Sequence, residues 1–127
     1  MRVPDLIEPL VGWRGWRVRD GRLWGVHYPA AWPSGEPIAA YCGSLKDHDA
    51  PGEGCNCGVH AAKDEEGLRL NYLFGLPDVY GKVNLWGRVA VHSRGYRAEF
   101  GYPRELFVRG ERWLDALREY DVPVSVL

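Results

Sequence analysis

Hydrophobic and polar positions alternate most clearly in two stretches. In the first, Trp16 and Val18 alternate with Arg17 and Arg19, Asp20-Gly21 is a tight-turn dipeptide, and Leu23-Trp24-Gly25-Val26-His27-Tyr28 returns. This pattern predicts a β-hairpin over residues 13–28. In the second, Val83, Leu85, Val89 and Val91 alternate along residues 82–92, which places them on one strand face. Ser93-Arg94-Gly95 closes a turn, with Gly95 suited to the left-handed position. Tyr96, Ala98, Phe100 and Tyr102 then share one face, with Arg97 and Glu99 on the other. Pro103 is expected to end that strand, and Leu106-Phe107-Val108 to add a short one.

Elsewhere the period becomes helical or breaks. Asp64 is a good N-cap, followed by Glu65 and Glu66 where acids favour the helix dipole. Leu68, Tyr72 and Leu73 would face inwards, and Gly75 is a plausible stop. Trp113, Leu114, Leu117 and Tyr120 form one stripe, predicting a helix over 111–120. Leu6, Ile7, Leu10 and Val11 would make a helical turn or an edge. Trp32 would plug the end of the core, and Ile38 to Tyr41 would be a short strand delivering Cys42. Val122 to Leu127 reads as an extended tail, which Pro123 limits to an edge. The expectation is one α+β domain over residues 1–127. Its centre would be a small, bent antiparallel sheet or partly open β-barrel, with about two helices and a zinc loop.

Composition supports short strands and many turns. The 127 residues include six Trp, seven Tyr, sixteen Gly and nine Pro. A net charge of -1 argues against a strongly basic, non-specific nucleic-acid binder, though not against a local basic patch. Arg14, Arg17, Arg19 and Arg22 supply such a patch on the first hairpin; the plainer reading is its solvated face. The start of the chain lacks the pattern of a secretory signal, and no apolar run is long enough for a membrane span. An odd number of cysteines, three, rules out a fully paired disulfide framework. A cytoplasmic protein with reduced thiols is the expectation.

All three cysteines lie between Cys42 and His60, spaced Cys42, His48, Cys55, Cys57, His60. Zinc takes four ligands in a tetrahedron from thiolates and imidazoles, and this loop offers five. Gly52, Gly54 and Gly58 let the backbone turn, and Pro51 stiffens it. Three Cys and one His make a closed, electron-rich shell, which suits a structural site better than one that activates water. Spacing alone leaves His48 and His60 as alternatives.

A resemblance bears on that choice. Cys42, His48, Ala50, Pro51, Cys55, Cys57 and Gly58 form one signature. Gly81, Val83, Leu85, Trp86, Gly87, Val89, His92, Gly95, Tyr96, Arg97, Ala98, Glu99, Tyr102 and Pro103 form a second. Together they resemble a group of small uncharacterised bacterial proteins over about half the chain. That group commonly has Tyr at the position of His60, which implies His48 as the fourth ligand; Gly101, where the group has Ala, is a departure. The resemblance implies no function.

The polar side of the second hairpin offers a further candidate surface: Trp86, Arg88, His92, Arg97 and Glu99. Trp beside Arg and His suits a base or another planar ligand; the alternative is that Trp86 packs inside and Arg97 and Glu99 are structural partners. No phosphate loop or zinc-protease helix is present, and no nucleophile is evidently paired with His92. The sequence therefore favours a non-enzymatic, zinc-stabilised binding module for nucleic acid or a modified base. A protein-interaction or regulatory module is the alternative, and a zinc-dependent hydrolase or transferase comes third.

Overall fold

The computed structural model describes residues 8–26, 30–42, 48–52, 54–70 and 77–127. Among these, the elements in chain order are β1 (Leu10–Arg19), β2 (Arg22–Gly25), β3 (Ile38–Ala39), β4 (Val59–Ala62), α1 (Glu65–Leu70), β5 (Val79–Val91), β6 (Gly95–Val108), α2 (Leu114–Leu117) and β7 (Val124–Val126). A 3-10 turn over Arg118–Tyr120 continues α2. The protein is mostly β, with two short helices. No helix among the described residues is long and apolar enough to cross a membrane.

β6 pairs with β5 along nearly its whole length, antiparallel. Its other edge is shared by β4, β3 and β7, the last of them parallel. β1 pairs with β5 from Leu10 to Trp16 and with β2 from Trp16 to Arg19. β1 also meets β4, through Trp13 and Ala62. The path β1–β5–β6–β4 therefore returns to β1, giving a ring-like mixed sheet that is not quite a barrel.

Local chemistry explains the two hairpins. Asp20 and Gly21 both take left-handed φ, 52° and 72°, the mirror-image turn that suits the twist of paired strands. In the β5–β6 hairpin the register slips between Trp86 and Val89, so that Gly87 and Arg88 face Glu99 alone. Gly87 has φ 77°, which makes it the natural residue for this bulge. The extra residue reverses the alternation. Val83 and Leu85 stay on one face, while Trp86 and Val89 share the other with Phe100 and Ala98, so the expected single row from Val83 to Val91 is broken.

Pro103 does not end β6. It lies opposite Val83 at a second slip, where Arg104 is the extra residue, so its missing N–H falls where the ladder is already interrupted. Gly95 does not take the left-handed conformation either. A Cβ there would meet the Ala61 carbonyl oxygen, so glycine is needed for the close approach of β4. Leu10 and Val11 begin β1, and Asp64 caps α1 by accepting a hydrogen bond from the Gly67 N–H at 2.7 Å. Tyr72, Leu73, Gly75 and residues 1–7 lie outside the described residues.

Trp16, Leu23, Val79, Val83, Leu85, Leu106 and Leu117 are fully buried at the centre. Trp32 closes one end, edge-on to Trp16 with ring centroids 5.4 Å apart. The helix expected over 111–120 shrinks to α2 and its 3-10 turn. Trp113 at the N-cap makes no side-chain capping bond, and Asp121 ends the turn in the left-handed conformation. So short a helix has no independent stability. Leu117 and Tyr120 hold it by burial. The Tyr120 hydroxyl accepts from the Leu23 N–H at 2.9 Å and donates to the Trp32 carbonyl at 2.6 Å.

Tyr120→Phe would leave two buried backbone groups without that partner. It should destabilise the protein by about 2 kcal/mol, read as a lower denaturant midpoint with an unchanged slope. An unchanged midpoint would show that these bonds contribute nothing net.

Candidate functional site

Ala39 ends β3 just before Cys42, and Cys57 precedes β4 by one residue. Both ends of the loop are therefore anchored on β6, by Ala39 opposite Phe100 and Val59 opposite Ala98. This brings the ligand atoms of Cys42, His48, Cys55 and Cys57 within 4.8 Å of one another. The Cys42 and Cys55 sulfurs are 3.7 Å apart, and His48 Nε2 is 3.3 Å from the Cys57 sulfur. A tetrahedron with zinc–sulfur bonds of about 2.3 Å has sulfur–sulfur edges of about 3.8 Å. A disulfide needs about 2.05 Å. The cluster thus has the spacing of a metal shell, none of its cysteines is in a disulfide, and it can hold a metal ion such as zinc.

Backbone groups shape the shell before any ion enters. The Gly52 N–H donates to the Cys57 sulfur at 3.2 Å. A Cβ on Gly52 would collide with the His48 imidazole, so glycine at 52 is what lets that ring reach the cluster. The thiols are unequal. Hydrogen bonding from the Cys57 backbone, then from the Cys42 thiol, lowers the Cys55 pKa to about 7. Desolvation foremost raises that of Cys57. A bound divalent cation would favour the thiolate form of its ligands.

His60 is not in the cluster. Its Nε2 donates to the Asn56 carbonyl at 2.6 Å. Nor is it a packed ring of the core: it is exposed on β4, opposite Arg97. Although the residue as a whole is exposed, partial desolvation of its ring lowers its pKa; the hydrogen bond to the Asn56 carbonyl opposes this, and the charges of Arg14, Arg97 and His92 add to it.

His60 faces a cleft of about 630 Å³ beside the metal loop. The cleft is the open part of the ring. β1 and β4 share only the Trp13–Ala62 pair, and next to it a side chain takes over: Arg14 donates from its guanidinium to the His60 carbonyl at 3.2 Å. That guanidinium also lies 4.5 Å from the centroid of Trp32 and 5.4 Å from that of Trp16. Trp13, Trp32, Tyr41 and Tyr96 contribute aromatic surface, and Arg94, Arg97 and His92 contribute polar groups. No Asp or Glu among the described residues lines it.

No family model matches the chain, no curated protein matches it, and no solved structure does.

The geometry of the site divides the surface expected on the second hairpin. Trp86 is 7% exposed and stacks on Phe100, and the Gly87 bulge brings Val89 onto the same face. It is not an exposed platform for a ligand. Arg88 and Glu99 fasten the bulge instead: Glu99 accepts from the Arg88 N–H at 3.1 Å, and Arg88 also pairs with Asp49 at 3.5 Å. His92 and Arg97 do reach the cleft. The arginine patch divides too. Arg14 turns in over Trp32, while Arg17, Arg19 and Arg22 remain exposed.

Cys55→Ser and His48→Ala should each remove bound zinc and lower the melting temperature, whereas His60→Ala should keep the zinc. Metal analysis and thermal unfolding would check this, and a Cys55→Ser protein with full zinc and unchanged stability would refute the assignment. Zinc uptake at pH 7 should also acidify a weakly buffered solution, since bound thiols lose their protons.

Proposed function

We propose that this protein is a non-enzymatic binding module, stabilised by a structural zinc, that receives an unpaired nucleotide of a single-stranded nucleic acid in the cleft. One observation carries the reading. The cleft has aromatic walls and arginine and histidine at its rim, and no acidic side chain among the described residues lines it. The chain as a whole has a net charge of -1, so the positive potential is local rather than general. About 630 Å³ also falls within the usual size of a small-ligand site.

Nucleic acid has the matching chemistry. An unstacked base offers a planar face to aromatic rings, and its phosphate offers negative charge to the cationic rim. Arg17, Arg19 and Arg22 lie on the hairpin whose Gly25 also borders the cleft. Arg19 and Arg22 are directly opposed, a like-charge pairing that a phosphate would relieve. The zinc has no chemical step in this reading. Four protein donors close its shell, leaving no position for water, and its binding energy, on the order of 10 kcal/mol, would go into holding the loop.

Titration of a labelled mixed-sequence single-stranded RNA 12-mer, and of its DNA counterpart, tests this. Affinity should fall steeply as salt rises from 50 to about 200 mM. Arg94→Glu, which places an acid at the rim, should weaken binding about tenfold without altering zinc content. No binding at low salt would sink the proposal.

A further inference from the structure

Arg97 is 7% exposed, yet no carboxylate among the described residues bonds it. A buried guanidinium without a counter-charge is costly unless its N–H groups find strong acceptors. One nitrogen, Nη1, donates to the Cys57 carbonyl at 2.8 Å and to the Gly52 carbonyl at 3.4 Å. Its Nε donates to His92 Nε2 at 2.9 Å. Both carbonyls belong to the metal loop, and Gly52 is the residue whose N–H bonds the Cys57 sulfur. His92 is on the cleft. Arg97 therefore touches the metal loop with one end of its guanidinium and the cleft wall with the other.

A zinc held by the cluster would supply the charge it lacks. Three thiolates and a neutral imidazole around a divalent cation carry one net negative charge. Arg97 brings one positive charge to the backbone of that shell. The chain passes so close over Arg97 that a Cβ on Gly58 would lie 3.0 Å from the Arg97 Cβ. Movement of the loop and movement of Arg97 are therefore linked by both charge and packing. At the other end, His92 Nε2 must be unprotonated to accept from Arg97, which places the ring proton on Nδ1.

We propose that Arg97 is the positioning residue that compensates the charge of the metal centre and couples its occupancy to the cleft, by fixing His92 with its Nδ1–H available to a ligand. The coupling rests on the cleft being the ligand site. Its consequence is reciprocal: a ligand that engages the Arg97–His92 wall would tighten metal binding by the same factor that the metal tightens the ligand. Metal supply would then govern whether the cleft is competent.

The test reads metal affinity and His92 separately, using the whole chain. Zinc affinity is measured by competition with a chelating dye, and the His92 ring by nitrogen-15 NMR of histidine-labelled, zinc-loaded protein. Wild type should show His92 as the Nδ1–H tautomer. Arg97→Gln should weaken zinc by roughly 10–100-fold and lose the single tautomer, and His92→Ala should leave zinc affinity unchanged. If Arg97→Gln fails to fold with zinc, Arg97→Lys decides by the same readouts, since it keeps the charge and loses the guanidinium fork. A folded variant with wild-type zinc affinity, or a wild-type His92 with mixed tautomers when zinc is bound, would overturn the proposal. RNA binding stands apart from both readouts. A wild type that binds no RNA would refute the cleft reading, while His92 and the zinc affinity would still decide the role of Arg97.

Discussion

The pairing of β6 with four other strands is the constraint on which this structure depends. β5 occupies one edge and β4, β3 and β7 divide the other. Those three are two to four residues long and could not persist in water alone. Each is placed by register on β6, and so is whatever its flanking loop carries. The segment after β3 carries Cys42, and the segment before β4 carries Cys55 and Cys57. Two chain segments far apart on the loop therefore arrive at one point because both are measured against the same strand.

That arrangement makes the metal loop and the sheet mutually dependent. Short strands alone would give weak anchors to a glycine-rich loop, and a loop without its ion would leave thiols of unequal acidity close together. An ion at the cluster would supply the missing tie between β3 and β4. Arg97 extends the dependence into the sheet, because it projects from β6 between β4 and β5 and bonds the loop rather than another side chain of its own strand.

Local features were legible in the sequence. The Asp20-Gly21 turn, the second hairpin, the plug at Trp32 and the Cys42–Cys57 cluster all depend on residues near one another in the chain. The errors came where one residue shifts a register or where pairing is long-range. Gly87 sits between Trp86 and Arg88, and a glycine inside an alternating run is itself a bulge signal; read so, it would have put Val89 on the face of Trp86. Pro103 seemed to end a strand because its lost N–H was charged against a regular ladder, whereas the ladder slips there. His60 could not be placed on the cleft from sequence, since its neighbour Arg97 lies across a β4–β6 register that no local pattern encodes. Arg14 looked like one of four equivalent arginines, but strand alternation puts it with Trp16 and Val18 and apart from Arg17 and Arg19.

The incomplete closure of the ring is where fold and function meet. If β1 and β4 continued to pair past Trp13 and Ala62, backbone bonds would fill the gap and the cleft would close. Instead the His60 carbonyl takes its hydrogen bond from Arg14, so the polar group is satisfied while the strands stay apart. A side chain can make this substitution without a strong energetic penalty, because a charged donor to a carbonyl is at least as good as an amide. The result is an opening at which the His60 carbonyl is already satisfied, with cations at its rim. A ligand entering it would need to supply negative charge and an apolar face rather than strand-like hydrogen bonds. The proposed nucleotide would meet both requirements.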